Sequence, residues 1–286
     1  MLNQINQRLE TLISGCQEPL LKEVMAYSAL GEGKRIRPLL LLASCEAVSG
    51  SYNDTALDFA CAIEMIHAYS LAHDDLPAMD NDDFRRGRPT CHKAYNEAMA
   101  ILAGDGLLSL AMEVMACRIN DTSQESLYAA KALSCVIKAA GVNGMVAGQV
   151  SDIINEGKQI DAETLAAIHR RKTGCLITAC LEAGAILGGG NASVIQEMAK
   201  LGQILGLAFQ IRDDILDVTS TAESLGKPIG SDSKNQKNTY VSVHGMSAAE
   251  IEYQNLSQEA YALVDKIQCK TNSLCDLVLQ TIQRTK

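Results

Sequence analysis

The sequence predicts an all-α protein, and three features of its 286 residues support that class. The helix-favouring residues Ala, Leu, Ile, Met, Glu and Gln recur throughout, whereas the chain has no Trp, 3 Phe and 5 Pro. The prolines lie at positions 19, 38, 77, 89 and 228, which leaves a long span without this helix breaker. Strand-like alternation of apolar and polar residues never continues for more than a few positions.

Glycines and apolar patterns place the elements along the chain. Within Ala56–His73 the apolar residues wrap most of the way round a helix, which predicts that this helix is buried. Further breaks between long helices are expected at Gly104, Gly141, Gly157, Gly174 and the Gly188–Gly190 run. Leu225–Thr239 is polar and contains Gly and Pro, which favours a mobile loop. Because no linker divides the chain, we expect one domain over residues 1–286.

Composition also limits the partners and the location. The formal charge of −9 argues against a nucleic-acid partner. No stretch has the roughly 18 to 20 uncharged apolar residues of a membrane span, and Met1–Ile13 lacks the apolar core of a signal peptide. The 10 cysteines form no Cys-x-x-Cys pair, and several, such as Cys61 and Cys117, have apolar neighbours. We therefore expect buried thiols in a reducing cytoplasm.

An acidic motif occurs twice, and its second copy is Asp213-Asp214-Ile215-Leu216-Asp217. It follows a strongly apolar helical stretch, Leu207–Arg212. On a helix, Asp213 and Asp217 lie only about 40° apart. Carboxylates stacked in this way repel one another, especially when they are partly buried. The pattern therefore predicts a positive group between them.

The first copy, Asp74 to Asp83, contains more carboxylates and also follows an apolar helix. Asp74 and Asp80 are six residues apart, so a straight helix would place them on different faces. Pro77 cannot continue a regular helical ladder, and a break there would bring the two back together. Clustered carboxylates without Cys or paired His select hard cations, and a site that keeps waters and phosphate oxygens suits Mg²⁺.

Two basic clusters accompany the acidic motifs. Lys34, Arg35 and Arg37 precede a buried helix, and Arg85, Arg86 and Arg88 follow the first motif. In so acidic a protein these clusters suggest bound polyanions, because Arg matches phosphate oxygens in bidentate fashion. A solvated basic turn is the simpler interpretation of either cluster alone. Together with carboxylates and magnesium, the clusters predict a site for two diphosphate groups.

The ordered motifs resemble the trans-prenyltransferase family, and within it the bacterial-type farnesyl diphosphate synthases. The matching segments, in order, are GKRIRP, IHAYSLAHDDLPAMDNDDFRRGRPTCH, ILAGDGLL, AGQVSDI, HRRKTG, GLAFQIRDDILDV and LGK…KNTY. They span nearly the whole chain. The resemblance implies a bundle of long helices around a deep central cavity, the isoprenoid synthase fold, in which the two acidic motifs face each other. It also implies a homodimer.

The same resemblance assigns roles to individual residues. About three Mg²⁺ ions are expected when both substrates are bound, held by Asp74, Asp75, Asp80, Asp213, Asp214 and Asp217. The allylic diphosphate would contact Arg85, Lys172, Lys227 and Lys237. Isopentenyl diphosphate would be received by Gly33, Lys34, Arg37, His67 and Arg86. Thr173 and Gln210 would bind the substrate and stabilise the carbocation with their dipoles.

The chemistry that the resemblance implies is a head-to-tail condensation. The allylic C–O bond ionises, the isopentenyl double bond attacks the carbocation, and loss of a proton gives a longer allylic diphosphate. Metal ions and cations stabilise the departing diphosphate, which is electrostatic catalysis. That diphosphate itself would take the proton, so no protein base is expected. Dimethylallyl and geranyl diphosphates are the expected starters.

The chain departs from the family in the predicted loop region. Gln236 and Val241 stand where relatives have Gly and Pro, which affects the expected closure of the loop and the role of Lys237. Arg284 and Lys286 keep the basic C-terminus that helps to close the site in the family.

Product length in the family depends on the bulk of residues just before the first motif, here Tyr69 and Ser70. A Tyr at the cavity floor would stop growth at farnesyl diphosphate. A geranylgeranyl diphosphate synthase is the nearest alternative, and a geranyl diphosphate synthase is a further one. A terpene cyclase or a non-catalytic partner subunit would be expected to lack one of the two acidic motifs.

Overall fold

The computed structural model describes residues 1–219, 237–267 and 269–283. Helices dominate these ranges, which confirms the predicted all-α class. In chain order they are α1 (Leu2–Ser14), α2 (Pro19–Ala29), α3 (Ile36–Ser49), α4 (Asp54–Asp74), α5 (Cys91–Ala94), α6 (Glu97–Ala116), α7 (Gln124–Ala140), α8 (Met145–Ile154), α9 (Ala162–His169), α10 (Cys175–Leu187), α11 (Ala192–Thr219), α12 (Tyr240–His244), α13 (Met246–Lys266) and α14 (Ser273–Ile282).

Helix α4 is the buried helix that the apolar pattern predicts. It packs between α3 and α6, and Phe59, Ile63 and Ile66 are fully buried. Its N-terminus is capped by Asn53, whose side chain accepts a hydrogen bond from the N–H of Ala56 at 3.0 Å. Its last residue is the first aspartate of the first acidic motif. The core helix therefore delivers that motif to its position.

Helix α10 forms the second centre of packing, against α3, α7 and α11. A single π-helical turn, Arg170–Gly174, joins α9 to α10. The predicted break at Gly174 is therefore wrong, because the helical path continues through this turn. Such turns insert one extra residue into a helix and often occur at functional sites. Here the turn carries the predicted pair Lys172 and Thr173.

The predicted break at Gly104 is also wrong, because α6 runs through this residue. The glycine serves packing instead. A Cβ atom at Gly104 would lie only 2.1 Å from Nε2 of His73 on α4. The ring of His73 thus lies directly on the backbone of α6. Breaks are confirmed at Gly141, which ends α7, and at Gly188, which ends α10.

A short hairpin follows the first acidic motif and was not predicted. Strands β1 (Phe84–Arg85) and β2 (Arg88–Pro89) pair antiparallel around Arg86 and Gly87. Both turn residues have positive φ, 52° and 74°, as a type I′ turn requires. Strands of two residues are too short to show alternation, so the sequence pattern gave no sign of them.

Several predicted features lie outside the described residues. They are Lys227, Gln236, Arg284, Lys286 and most of the predicted loop Leu225–Thr239. Lys237 and Val241 are described, and Val241 belongs to α12. Helix α12 begins with a capping box in which the side chains and backbone N–H groups of Thr239 and Ser242 bond reciprocally.

Two stretches are long and apolar enough to cross a membrane, Glu97–Ala116 and Gln124–Ile154. The second one is interrupted between α7 and α8. In the bundle, α6 packs against α4 and α7 packs against α10. All ten cysteines are free thiols. The expectation that they are buried is confirmed for Cys45, Cys61, Cys91 and Cys180, whereas five others are only half-buried and Cys117 is exposed at the end of α6.

Candidate active site

A pocket of about 100 Å³ lies where α8, α9, the π turn and α11 meet the residues before α12. Its lining residues are Asp152, Ile168, His169, Lys172, Thr173, Gln210, Asp214, Lys237, Asn238 and Thr239. Five of them were predicted from the sequence, namely Lys172, Thr173, Gln210, Asp214 and Lys237. The tertiary structure thus brings these five residues together, although Lys172 and Lys237 are 65 positions apart in the chain.

Asp214 of the second motif is held by hydrogen bonds to both of its carboxylate oxygens. It is 2% exposed. Its Oδ1 accepts a hydrogen bond from Nε2 of Gln210 at 2.9 Å, and its Oδ2 accepts one from the backbone N–H of Tyr240 at 2.6 Å. Oγ1 of Thr173 donates to Oε1 of Gln210 at 3.0 Å. A continuous polar chain therefore links the π turn to the acidic motif.

The other aspartates of this motif differ in exposure. Asp217 is buried, whereas Asp213 is only partly buried. The spacing predicts a shared face for Asp213 and Asp217, but the helix buries Asp214 and Asp217, which are three residues apart and share a face as well.

The first motif folds back as the position of Pro77 predicts. After α4 ends, the backbone N–H of Asp80 donates to the carbonyl oxygen of Asp74 at 2.8 Å. Burial raises the pKa of Asp74 to about 6, and the Asp80 carboxylate acts in the same direction. Lys172, Arg85 and Lys237 oppose that rise. Asp74 and Asp80 are therefore neighbours despite their spacing.

Asp75 occupies a different environment from Asp74. Its Oδ1 accepts hydrogen bonds from Nε and Nη2 of Arg85, at 2.7 and 2.6 Å. Asp75 is buried, and burial raises its pKa while Arg85 opposes the rise. The structure thus pairs a predicted metal ligand with a predicted diphosphate contact.

Lys237 connects the two acidic motifs. Its Nζ lies 2.8 Å from Oδ1 of Asp80 in the first motif, and its side chain lines the same pocket as Asp214 of the second. The charge of Lys172 also acts on the first motif, because among the nearby cations it lowers the pKa of Asp74 most. Cations thus lie between the two sets of carboxylates. The positive group expected between Asp213 and Asp217, within the second motif, stays a prediction.

The predicted isopentenyl site is a cluster of cations around His67. Nη1 of Arg37 donates to Nε2 of His67 at 3.3 Å. Burial lowers the pKa of His67 well below its usual value, and Arg37, Arg86 and Arg85 lower it further. Nη1 of Arg86 donates to the carbonyl oxygen of Glu32 at 2.8 Å, and a Cβ at Gly33 would lie 2.5 Å from that same nitrogen. A neutral imidazole among arginines suits an anionic ligand.

The remaining predicted residues lie close to this cluster in the chain. Lys34 is exposed beside Arg35, which is buried and pairs with Glu64 at 2.6 Å. Tyr69 is buried on α4, and its ring meets that of His73 edge-on at 5.8 Å. The hydroxyl of Ser70 donates to the carbonyl oxygen of His67 at 2.9 Å.

The donor set suits Mg²⁺. Carboxylate oxygens are its preferred protein ligands, and it usually keeps waters and phosphate oxygens in its coordination shell. In the described residues, no group of three or more His, Cys, Asp or Glu side chains could hold a metal ion by itself. Asp74 and Asp80 on one side and Asp214 on the other thus fit ions that substrate oxygens help to complete.

Five lining residues of the pocket were not predicted from the sequence, namely Asp152, Ile168, His169, Asn238 and Thr239. Asp152 on α8 pairs with Lys172, Nε2 of His169 lies 3.9 Å from Oδ2 of Asp214, and Asn238 donates to the carbonyl oxygen of Asn155 at 2.9 Å. Burial lowers the pKa of His169 to about 4, so its ring is neutral. Asp152 and His169 fall within the quoted segments AGQVSDI and HRRKTG, which was the only available signal.

Known proteins match this chain over most of its length. A farnesyl diphosphate synthase of Geobacillus stearothermophilus is 49% identical over 87% of this chain and 84% of its own. The large subunit 1 of a chloroplastic heterodimeric geranylgeranyl pyrophosphate synthase of Arabidopsis thaliana is 44% identical over 90% and 70%. The crystal structure of a geranyltransferase of Helicobacter pylori, complexed with magnesium and isoprenyl diphosphate, is 29% identical and superposes with a TM-score of 0.83 over 98% and 94%.

The family assignment rests on the whole chain and not on the acidic motifs alone. Residues 18–277 match the polyprenyl synthetase family, a range that runs from the start of α2 into α14. Because the match includes every described residue of the pocket and both acidic motifs, the chain belongs to the polyprenyl synthetase family.

Proposed function

We propose that this chain is a magnesium-dependent short-chain prenyl diphosphate synthase that makes farnesyl diphosphate from isopentenyl, dimethylallyl and geranyl diphosphates. One observation carries the proposal. Lys237 pairs with Asp80 of the first acidic motif while it lines a pocket with Asp214 of the second. Carboxylates and lysines therefore converge where a diphosphate and its metal ions would lie.

In the proposed reaction, the allylic substrate loses diphosphate as its C–O bond breaks. The isopentenyl double bond forms the new C–C bond, and the proton lost to restore an allylic double bond passes to the released diphosphate. Magnesium would neutralise the departing diphosphate when it is bound. Lys172 and Lys237 add fixed positive charge from the protein, and the oxygens of Thr173 and Gln210 present their dipoles to the carbocation.

The cluster of Arg37, Arg86 and His67 is proposed to receive the diphosphate of isopentenyl diphosphate. The neutral His67 adds no charge of its own, so the arginines set the positive potential of this site. Gly33 and Lys34 lie at the same end of α3. For the metal site we propose about three ions, bound chiefly through Asp74, Asp80 and Asp214.

The farnesyl product is favoured over longer ones by the bulk of Tyr69. The relatives described above include a farnesyl and a geranylgeranyl synthase, so the family alone does not decide between these products. Incubating the purified protein with labelled isopentenyl diphosphate, each allylic starter and Mg²⁺, followed by chromatography, gives the product length. No elongation with any starter would overturn the proposal.

The two other function classes make different predictions in the same assay. A terpene cyclase would release hydrocarbons or alcohols from farnesyl diphosphate without using isopentenyl diphosphate. A non-catalytic partner subunit would be inactive alone and active only with a second chain. The presence of both acidic motifs favours the synthase over either class.

A homodimer in the cytoplasm completes the proposal. Large apolar side chains are exposed along α6, α7 and α8, including Leu102 at 50% and Leu127 at 49%. Exposed apolar surface of this kind marks interaction sites. Analytical ultracentrifugation should give twice the mass of the chain, and Leu102→Glu should shift the protein toward the monomer.

Free thiols suit a reducing compartment such as the cytoplasm, which cell fractionation would test.

A further inference from the structure

Asp152 on α8 joins two lysines of the candidate active site. Its Oδ2 lies 2.5 Å from Nζ of Lys172 and 3.8 Å from Nζ of Lys237. Lys237 also pairs with Asp80, at 2.8 Å. Asp152 and Lys237 are each 13% exposed and Lys172 is 26% exposed, so water screens these charges only partly. Asp152 belongs to neither acidic motif.

The packing of α8 explains why Asp152 reaches the lysines. A Cβ at Gly148 would lie 2.2 Å from the backbone nitrogen of Lys172, so α8 and the π turn touch through their backbones. Asp152 follows Gly148 by four residues and therefore lies on the same side of the helix. The contact that fixes the π turn thus also sets the carboxylate of Asp152 beside Lys172.

Lys172 has a second carboxylate within its electrostatic reach. It lines the same pocket as Asp214 of the second acidic motif, and its positive charge also acts on Asp74 of the first. A lysine has a long, flexible side chain and a compact charge, so it moves readily between carboxylates. Without Asp152, Lys172 would turn toward Asp74 and compete there with Mg²⁺.

We propose that Asp152 is a positioning residue for the condensation: it holds Lys172 away from the metal-binding carboxylates until a diphosphate takes over the lysine. This inference rests on the proposed function. It predicts that Asp152 acts on metal and diphosphate binding through Lys172 and contacts neither reacting carbon.

The test compares Asp152→Asn, which keeps the shape and removes the charge, with Asp265→Asn, which removes the same charge from an exposed position on α13. Calorimetric titration of each protein with Mg²⁺ in the presence of inorganic diphosphate measures half-saturation and stoichiometry without any turnover. We expect half-saturation of Asp152→Asn to need at least about five times more Mg²⁺, by loss of a charge-assisted contact. Asp265→Asn should match the wild type.

A double-mutant cycle separates this role from a general loss of structure. In a Lys172→Gln background, adding Asp152→Asn should cause little further change in the Mg²⁺ requirement, because the lysine through which Asp152 acts is gone. Asp152→Glu should recover part of the wild-type value. If Asp152→Asn does not fold, Asp152→Glu still allows the comparison, since its smaller rise in the Mg²⁺ requirement should disappear in the Lys172→Gln background.

Three results would overturn the inference. They are an unchanged Mg²⁺ requirement in Asp152→Asn, an equal effect in both backgrounds of the cycle, and the loss of one bound ion per site, which would make Asp152 a metal ligand. Wild-type protein that binds Mg²⁺ and diphosphate but condenses no substrates would instead refute the proposed function. The two failures are therefore distinguishable.

Discussion

The backbone N–H of Tyr240 donates a hydrogen bond to Oδ2 of Asp214 over 2.6 Å. Tyr240 is the first residue of α12, and the N–H groups of a first helical turn have no partner within their own helix. This one is therefore available to the second acidic motif. Since Gln210 holds the other oxygen of the same carboxylate, two donors fix the orientation of Asp214.

Substituting Tyr240 with Pro should remove this hydrogen bond without breaking α12. Proline is tolerated at the first position of a helix, and Thr239 already has the extended backbone, φ −116° and ψ 162°, that precedes proline. We expect the free energy of unfolding to fall by about 1–2 kcal/mol relative to Tyr240→Ala, which loses the ring but keeps the N–H. Urea unfolding measures the difference. Equal stability of the two variants would show that the bond contributes nothing.

The pairing of Arg85 with Asp75 gives a second prediction, for stability. Arg85→Met leaves a buried carboxylate without its main partner, which should cost about 2 kcal/mol. Lys93→Met is a matched control, because Lys93 pairs with Asp83 at 2.7 Å while both side chains are largely exposed. That substitution should cost less than about 1 kcal/mol. Similar losses in urea unfolding for both variants would contradict the structural role of Arg85.

His67 should make the stability of the protein depend on pH below about 6.5. Its pKa in the folded protein lies well below the usual value, chiefly through burial and then through Arg37 and Arg86. The unfolded chain therefore binds a proton at a higher pH than the folded chain does. The stability that results is fully present above pH 6.5 and is lost as the pH falls toward the folded-state pKa.

The measurement is the difference in unfolding free energy between wild type and His67→Gln, from urea curves at several pH values. Going down from pH 6.5, wild type should lose stability relative to the variant by at most about 1.4 kcal/mol per pH unit. The contributions of the other titrating groups to the unfolding free energy are nearly the same in both proteins and largely cancel in this difference. A constant difference across the range would mean that His67 titrates alike in the folded and unfolded chains.

Much of the site could be predicted because its signals are local. The apolar wrap of α4, the break at Pro77 and the cations that flank the acidic motifs can all be identified within short segments. The sequence does not show whether a charged side chain binds a ligand or pairs with another side chain of the protein. Asp75 and Arg85 each carry a charge suited to a ligand, and only the folded chain shows that they bind one another.

Long-range packing explains the residues that the sequence missed. Asp152 reaches Lys172 because the backbone of α8 touches the π turn at Gly148, a contact across 24 positions that no local pattern encodes. The extra residue of a π turn is likewise invisible in an apolar pattern. Gly104 was expected to break a helix, but its role is to accommodate the ring of His73.

The chain-length role of Tyr69 gives the last prediction. Its ring is buried on α4, five residues before the first acidic motif, and lies edge-on to His73, whose Nε2 is 3.0 Å from the carbonyl oxygen of Ile101 on α6. His73 in turn packs against the backbone of Gly104 on α6. Through His73, α6 therefore supports the ring of Tyr69 and leaves it little space to move.

Tyr69→Ala should therefore open space and shift the main product from farnesyl toward geranylgeranyl diphosphate. Tyr261→Ala, which removes a partly buried Tyr from α13, is the control and should leave product length unchanged. Removing a buried aromatic ring costs about 3–5 kcal/mol of stability, so both variants are first checked for cooperative unfolding. Products are then separated by chain length with geranyl diphosphate as starter. A folded Tyr69→Ala variant that still stops at farnesyl diphosphate would refute the assigned role, and the limit on growth would then lie elsewhere along the cavity.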